Sequence, residues 1–256
     1  MIDSHSHIYA EEFDADIAEA IQRAKDAGIK HIILPNVDSE SSLPRMLALE
    51  TNYPNYCSAA IGLHPTSVKS DYQQELKLLK SELERRSYIA VGEIGIDLYW
   101  DKTLLKEQII CFKQQIEWAL EYNLPIIIHT RNSFRETMNA LQPYKNKGLK
   151  GVFHSFTGSL AEAEEMLELG GFLLGINGIV TFKNSGLAET VSKIDIQNII
   201  LETDSPYLTP TPYRGKRNES AYLAIICKKV AEIYNISAEE VSKITIQNSL
   251  KLFKIS

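Results

Sequence analysis

Residues 124–130 read LPIIIHT: three consecutive isoleucines between a proline and a histidine. Branched apolar residues in an unbroken run leave no polar face, which suits a strand buried on both sides, as in a parallel sheet covered by helices. The run ends on His129, where a strand would give way to a loop. Seven other segments share this design: MIDSH (1–5), HIILPNV (31–37), CSAAIGL (57–63), YIAVGEI (88–94), KGVFHSF (150–156), GFLLGIN (171–177) and NIILETD (198–204). Amphipathic stretches lie between them. In the first, Phe13, Ile17, Ile21 and Ala24 recur at spacings of three and four, with Gly28 as a C-terminal stop.

Further helices are expected over 72–86, 104–122, 134–141 and 160–169. Two more are expected within 222–253, separated near Asn235, the second opened by a Ser237-Ala238-Glu239-Glu240 capping box. Eight β-α units without a linker, a composition break or an internal repeat predict one α/β domain over residues 1–256. The expected architecture is a single (β/α)8 TIM barrel, for which ~250 residues is typical, rather than an open doubly wound sheet.

Composition narrows the function. At 256 residues and 44% hydrophobic content, the chain can bury a large core. It has no apolar run of the roughly 18–20 residues that cross a bilayer, and its first residues lack the pattern of a signal peptide. A cytoplasmic location, with no membrane association and no obligate protein partner, is expected. Cys57, Cys111 and Cys227 are far apart without CxxC spacing, so they read as core residues and exclude a thiolate zinc cluster. A net charge of −6 argues against non-specific coating of nucleic acid. A phosphate-bearing substrate would need a local basic patch or a metal.

The strand ends carry the chemistry. His5 and His7 close the first expected strand, Glu93 the fourth, His129 the fifth, His154 the sixth and Asp204 the eighth. In a parallel barrel these ends converge on one mouth, so four imidazoles and two carboxylates would meet there. Side chains two apart on a strand share a face. His5 and His7 could therefore hold one ion together, while Asp3 and Glu202 point inward behind them, placed to orient ligating imidazoles through the second ring nitrogen. Alone, each such residue reads as an ordinary polar strand end. Together they need divalent cations to compensate them. Nitrogen and oxygen donors without sulfur suit zinc, manganese, iron or cobalt, and magnesium or calcium if the carboxylates dominate. Six ligands exceed the three or so of one catalytic zinc, and two cations bridged by Glu93 would use them all. His31 stands at the start of its strand, at the opposite end of the barrel, and reads as structural, while His64, in GLHP (62–65), faces the mouth one step further out, as a candidate substrate contact or as packing of a surface loop.

The segments DSHSH (3–7), GLHP (62–65), VGEIGID (91–97), IIIHTR (126–131), FHSFTG (153–158), ETDSPYL (202–208) and PYRGKRNES (212–220) resemble the TatD family of metal-dependent hydrolases, within the amidohydrolase superfamily. The resemblance covers nearly the whole chain. It implies that His5, His7, Glu93 and Asp204 hold one metal, that Glu93, His129 and His154 hold a second, and that the activity is a DNase removing nucleotides from 3′ ends. Where similar members read RGxRNEP, this chain has Ser220 in place of the proline, a departure that touches the shape of a loop.

Two such cations (Mg, Mn or Zn) would acidify a bound water, giving a metal-bound hydroxide near neutral pH. Asp204 is the expected acceptor of the proton from that water, with Glu93 as the bridge. The loop SPYLTPTPYRGKRNES (205–220) supplies Arg214, Lys216 and Arg217, read either as a solvated turn or as a phosphate clamp built from Arg214 and Arg217. Tyr99, Trp100, Tyr207 and Tyr213 lie on the same side, for base stacking or for packing the rim. The expected substrate is the 3′ end of single-stranded or frayed DNA. The alternative is an ester or amide hydrolase such as a D-aminoacyl-tRNA deacylase, and a non-catalytic metal-binding barrel is the third reading.

Overall fold

Eight short strands alternate with helices along a chain whose computed structural model describes residues 1–255. In order, the elements are β1 (Ile2–Asp3), α1 (Ile17–Asp26), β2 (His31–Leu34), α2 (Ser42–Asn52), β3 (Cys57–Ala59), α3 (Tyr72–Arg85), β4 (Val91–Asp97), α4 (Leu105–Glu121), β5 (Ile126–Arg131) and α5 (Phe134–Leu141). They continue with β6 (Gly151–Phe153), α6 (Leu160–Leu167), β7 (Phe172–Ile176), α7 (Leu187–Val191), β8 (Ile199–Leu201), α8 (Leu223–Tyr234) and α9 (Ala238–Phe253). All neighbouring strands pair in parallel, β1 to β3 in one run and β4 to β8 in another.

Hydrogen bonds span both seams between the runs. At one, Ile61 N donates to Ala90 O (3.1 Å) and Gly92 N to Ile61 O (2.9 Å). At the other, Ser4 N donates to Leu201 O (3.1 Å), Asp204 N to His5 O (2.9 Å) and His7 N to Ser205 O (2.7 Å). The sheet is thus a closed (β/α)8 TIM barrel, which leaves no unpaired edge.

Period-two alternation sorts the apolar strand residues into two clusters. Ile32 and Leu34 pack outward among the helices, while Ile33, Ala60, Ile127, Val152 and Ile200 fill the barrel. Leu252 and Phe253 of α9 join the inner cluster, and the adjacent Lys254 donates to Asn123 O, just before β5 begins. The end of α9 therefore plugs the barrel opposite the mouth. Each such side chain removed from water contributes ~1.5–3 kcal/mol. The three cysteines are buried and unpaired.

Two helices, α2 and α7, lie in stretches between strands for which the sequence gives no bounds. Pro44 falls in the first turn of α2, where it is tolerated, and α7, at five residues, is too short to show a period. Gly28 follows α1 at φ +80°, as its stop, and Asn235 ends α8 at φ +53°. The Ser237 hydroxyl caps α9 by accepting from Glu240 N (3.1 Å), but the complete reciprocal box is the one at Ser159 and Glu162 on α6.

Candidate metal centre

The mouth of the barrel opens into a cavity of about 980 Å³ lined by His7, His64, Glu93, His129, His154 and Asp204 among others. β1 ends at Asp3, two residues earlier than the sequence suggested, so His5 and His7 extend past the strand. Backbone bonds to Ser205 and Asp204 hold them there. Asp204 lies at φ +57°, an unfavourable conformation for a residue with a side chain. Its N–H on His5 O and its carbonyl, which accepts from Tyr207 N (2.8 Å), fix it.

Glu93 organises the centre because its two oxygens face different donors. Oε2 lies 3.2 Å from His5 Nε2 and 3.6 Å from His7 Nε2. These imidazole nitrogens are 3.1 Å apart, and each is 3.7 Å from Asp204 Oδ1. Donors about one cation at ~2.0–2.2 Å would stand roughly 3.3–3.6 Å from each other, so Glu93 Oε2, His5 Nε2 and His7 Nε2 have the spacing of three ligands of one cation, with Asp204 Oδ1 beside the two imidazoles. Oε1 faces His129 Nδ1 at 2.8 Å, His64 Nε2 at 3.5 Å and His154 Nε2 at 3.8 Å. His154 Nε2 also stands 3.7 Å from Asp204 Oδ1, with its ring stacked on His5 at 3.4 Å. The donor set fits divalent cations on both sides of Glu93.

Charge follows this crowding. Burial opposes ionisation of Glu93, yet His5, His64 and His154, with the His129 hydrogen bond, hold its carboxyl well below the usual range. Burial also opposes protonation of His154, but Glu202, Asp204 and Glu93 together raise it to about 10. His5 is pushed well below its ordinary value by burial and by His154. Burial lifts Asp204 to about 6. Six candidate ligands thus share a small volume, and among the described residues no lysine or arginine pairs with any of them.

The second ring nitrogens have distinct partners. His129 Nε2 meets Asp97 Oδ2 at 2.9 Å, and His154 Nδ1 lies 2.9 Å from Glu202 Oε1, close as an ion pair though not aligned as a hydrogen bond. Gly175 makes room for Glu202, since a Cβ there would stand 2.3 Å from Oε2. The Tyr9 hydroxyl donates to Pro35 O (2.5 Å) and so accepts from His7 Nδ1 (2.8 Å). His5 Nδ1 is buried without a partner among the described residues.

Several expectations are corrected. Asp3 does not orient the His5 ring: its carboxylate accepts from Thr203 N (2.9 Å), Thr203 Oγ1 (2.7 Å) and His5 N (3.4 Å), shaping the backbone instead. His64 stands within reach of Glu93 rather than a step outside, with Nδ1 engaged by Thr66 (2.6 Å). Arg217 is no free phosphate clamp, because Asp16 takes both of its terminal nitrogens at 2.6 and 2.8 Å. Arg214 is stacked over Phe182 at 3.7 Å, and neither arginine lines the cavity. Tyr213 stacks on Tyr222, leaving Trp100 and Tyr207 as the aromatics of that group on the cavity wall. Ser220 is buried, its hydroxyl 3.3 Å from that of Ser6, so the departure from proline lies behind the segment that carries His5 and His7.

The sequence reading passed over Asp97, Tyr9 and Arg131. For Asp97 a signal existed: it follows Glu93 by four residues on one strand, the same parity that paired His5 with His7.

The chain matches the family model described as TatD related DNase over residues 2–254. It is 35% identical to the uncharacterized metal-dependent hydrolase YabD of Bacillus subtilis (strain 168), with both chains covered in full. Over the full length of both, it is 29% identical to a protein of Yersinia pseudotuberculosis serotype O:3 (strain YPIII) named 3'-5' ssDNA/RNA exonuclease TatD. The crystal structure of YjjV, a TatD homolog from Escherichia coli K12, aligns with a TM-score of 0.93 at 32% identity, covering 100% of this chain and 98% of that one. With the barrel, the clustered donors and these relatives in agreement, the chain belongs to the TatD family of metal-dependent hydrolases.

Proposed function

We propose that this hydrolase is a deoxyribonuclease that removes nucleotides from the 3′ ends of single-stranded or frayed DNA, using two divalent cations (Mg, Mn or Zn) within one domain spanning residues 1–256. The observation that carries the reading is the division of Glu93, with Oε2 facing His5 and His7 and Oε1 facing His64, His129 and His154. His5, His7, Glu93 and Asp204 would hold one cation, and Glu93, His129 and His154 the other. Bound there, the cations would neutralise charge on substrate oxygens and acidify a water. The exonuclease named among the relatives supports a polynucleotide substrate.

The chain's own residues supply the rest. Asp204 presents Oδ1 to the imidazoles, while Oδ2 accepts no hydrogen bond among the described residues. Oδ2 is therefore the oxygen placed to take a proton from the attacking water and return it to the leaving 3′ oxygen. Glu11, Glu12 and Asp38 also line the cavity. Their charge repels the flanking phosphates of a duplex, and a strand terminus entering the recess avoids most of that repulsion.

Metal analysis followed by incubation with 3′-labelled single-stranded DNA, duplex DNA, D-aminoacyl-tRNA and small esters, with and without chelator, tests the reading. We expect chelator-sensitive release of nucleotides from single strands, abolished in His129→Ala and His154→Ala. DNA cleavage that resists chelator or survives both substitutions would sink it, and turnover confined to the aminoacyl or ester substrates would transfer the site to that chemistry.

A further inference from the structure

A substrate strand needs an anchor beside the metal centre, and the cavity wall offers few cations. Among the described residues, Arg45 and Arg131 are the basic side chains lining it. Arg45 is occupied, with Nη2 on Asp14 and Nε on Tyr9 O (2.8 Å). Arg131 makes no side-chain hydrogen bond or ion pair with any described residue, although Glu11, Glu12, Asp38 and Asp97 line the same cavity. Its guanidinium is stacked on the Tyr99 ring at 3.9 Å and stands 5.5 Å from Trp100. Stacking covers one face of the plane and leaves the donor edge free.

Trp100 beside it is 71% exposed, an unusual position for the largest apolar side chain. The loop that carries it is built, not loose. Asp97 Oδ1 accepts from Tyr99 N (2.9 Å) and Trp100 N (3.3 Å), while Oδ2 of the same carboxylate meets His129. In the strand pairing Asp97 lies opposite Arg131, and Leu98 N donates to Arg131 O (2.9 Å). One carboxylate therefore sets both a candidate ligand and the aromatic platform two to three residues beyond it.

We propose that Arg131 and Trp100 form the anchoring subsite for a nucleotide next to the scissile one, Arg131 holding its phosphate by the free guanidinium edge and Trp100 stacking on its base. This rests on the nuclease reading above. The subsite takes a single strand, because a base must be unpaired to lie on the indole, and it is indifferent to base identity, because every base presents a π face.

The holoenzyme is tested with an oligodeoxynucleotide whose 3′-terminal linkages are phosphorothioates, following tryptophan fluorescence with Trp100→Phe as the baseline left by Trp118, and in parallel with its unmodified counterpart and bis(p-nitrophenyl) phosphate as substrates. We expect quenching on binding, and an increase in KM of about tenfold or more for the oligonucleotide in Arg131→Gln and in Trp100→Ala. Trp100→Phe should recover most of the loss, and metal content and turnover of the small diester should stay at wild-type levels. Variants that process the oligonucleotide with wild-type KM, or that lose metal or small-diester turnover in parallel, overturn the subsite. A wild-type protein that hydrolyses small esters yet neither binds nor cuts the oligonucleotide overturns the nuclease reading itself.

Discussion

The two sides of Glu93 are built from similar ligands and backed differently. Behind Oε1, Asp97 supports His129 and Glu202 supports His154, so two carboxylates add charge to the imidazoles they orient. Behind Oε2, a neutral phenol supports His7, and His5 Nδ1 has no partner among the described residues. Carboxylate-backed imidazoles are stronger donors than phenol-backed ones. The Oε1 side should therefore hold its cation more tightly, leaving the Oε2 side, with Asp204 and the more weakly backed ligands, as the exchangeable half.

The largest effect that could break this comparison concerns Asp204, which serves the Oε2 side as ligand and proton acceptor. Asp204→Asn should lower turnover by roughly 10²–10⁴-fold, with a much smaller loss of bound metal by elemental analysis; near wild-type turnover with metal retained would remove its proton role. Next come the backing carboxylates. Asp97→Asn and Glu202→Gln should each weaken the tighter cation by about 10–100-fold in calorimetric titration, and an equal weakening of both cations would erase the asymmetry.

Asp3 sharpens the contrast from the backbone side. Burial lifts it to about 7 despite its Thr203 donors. A carboxyl raised on folding contributes stability that is full below its ordinary value of 3.8 and is lost as pH rises through about 7. Urea unfolding of chelator-treated protein should show wild type losing roughly 2 kcal/mol relative to Asp3→Asn between pH 5 and pH 8. Parallel pH profiles for the two would show that Asp3 is already ionised at pH 5. The smallest effect is at Tyr9: Tyr9→Phe, which removes one neutral hydrogen bond to His7, should weaken only the looser cation, by about fivefold. A change at the tighter cation would mean that the two sides are not independent.

Much of this was legible in the sequence because buried parallel strands spell themselves out. LPIIIHT, NIILETD and KGVFHSF show both the strand and the polar residue at its end, and barrel geometry then brings His129, Asp204 and His154 together. What stayed hidden depends on partners distant in the chain. Arg217 reads as a free basic residue until Asp16, 201 positions away, is seen to claim it, and with Arg23 on Asp16 and Glu219 that network fastens the β8–α8 loop to α1. Asp3 looked like a support for the His5 ring because strand parity was extended past the point where β1 stops. Arg131 escaped notice because nothing local says which arginine lacks a carboxylate.

The central claim is that one carboxylate, Glu93, serves two cations. Reconstituting the chelator-treated protein with excess Mn or Zn, removing unbound metal and measuring bound metal per chain in wild type and Glu93→Gln tests it most directly. The account predicts two equivalents in wild type and loss at both sites in the variant, by more than the ~10–100-fold in affinity that removing a backing residue costs. A single equivalent in wild type, or two retained in Glu93→Gln, would contradict it.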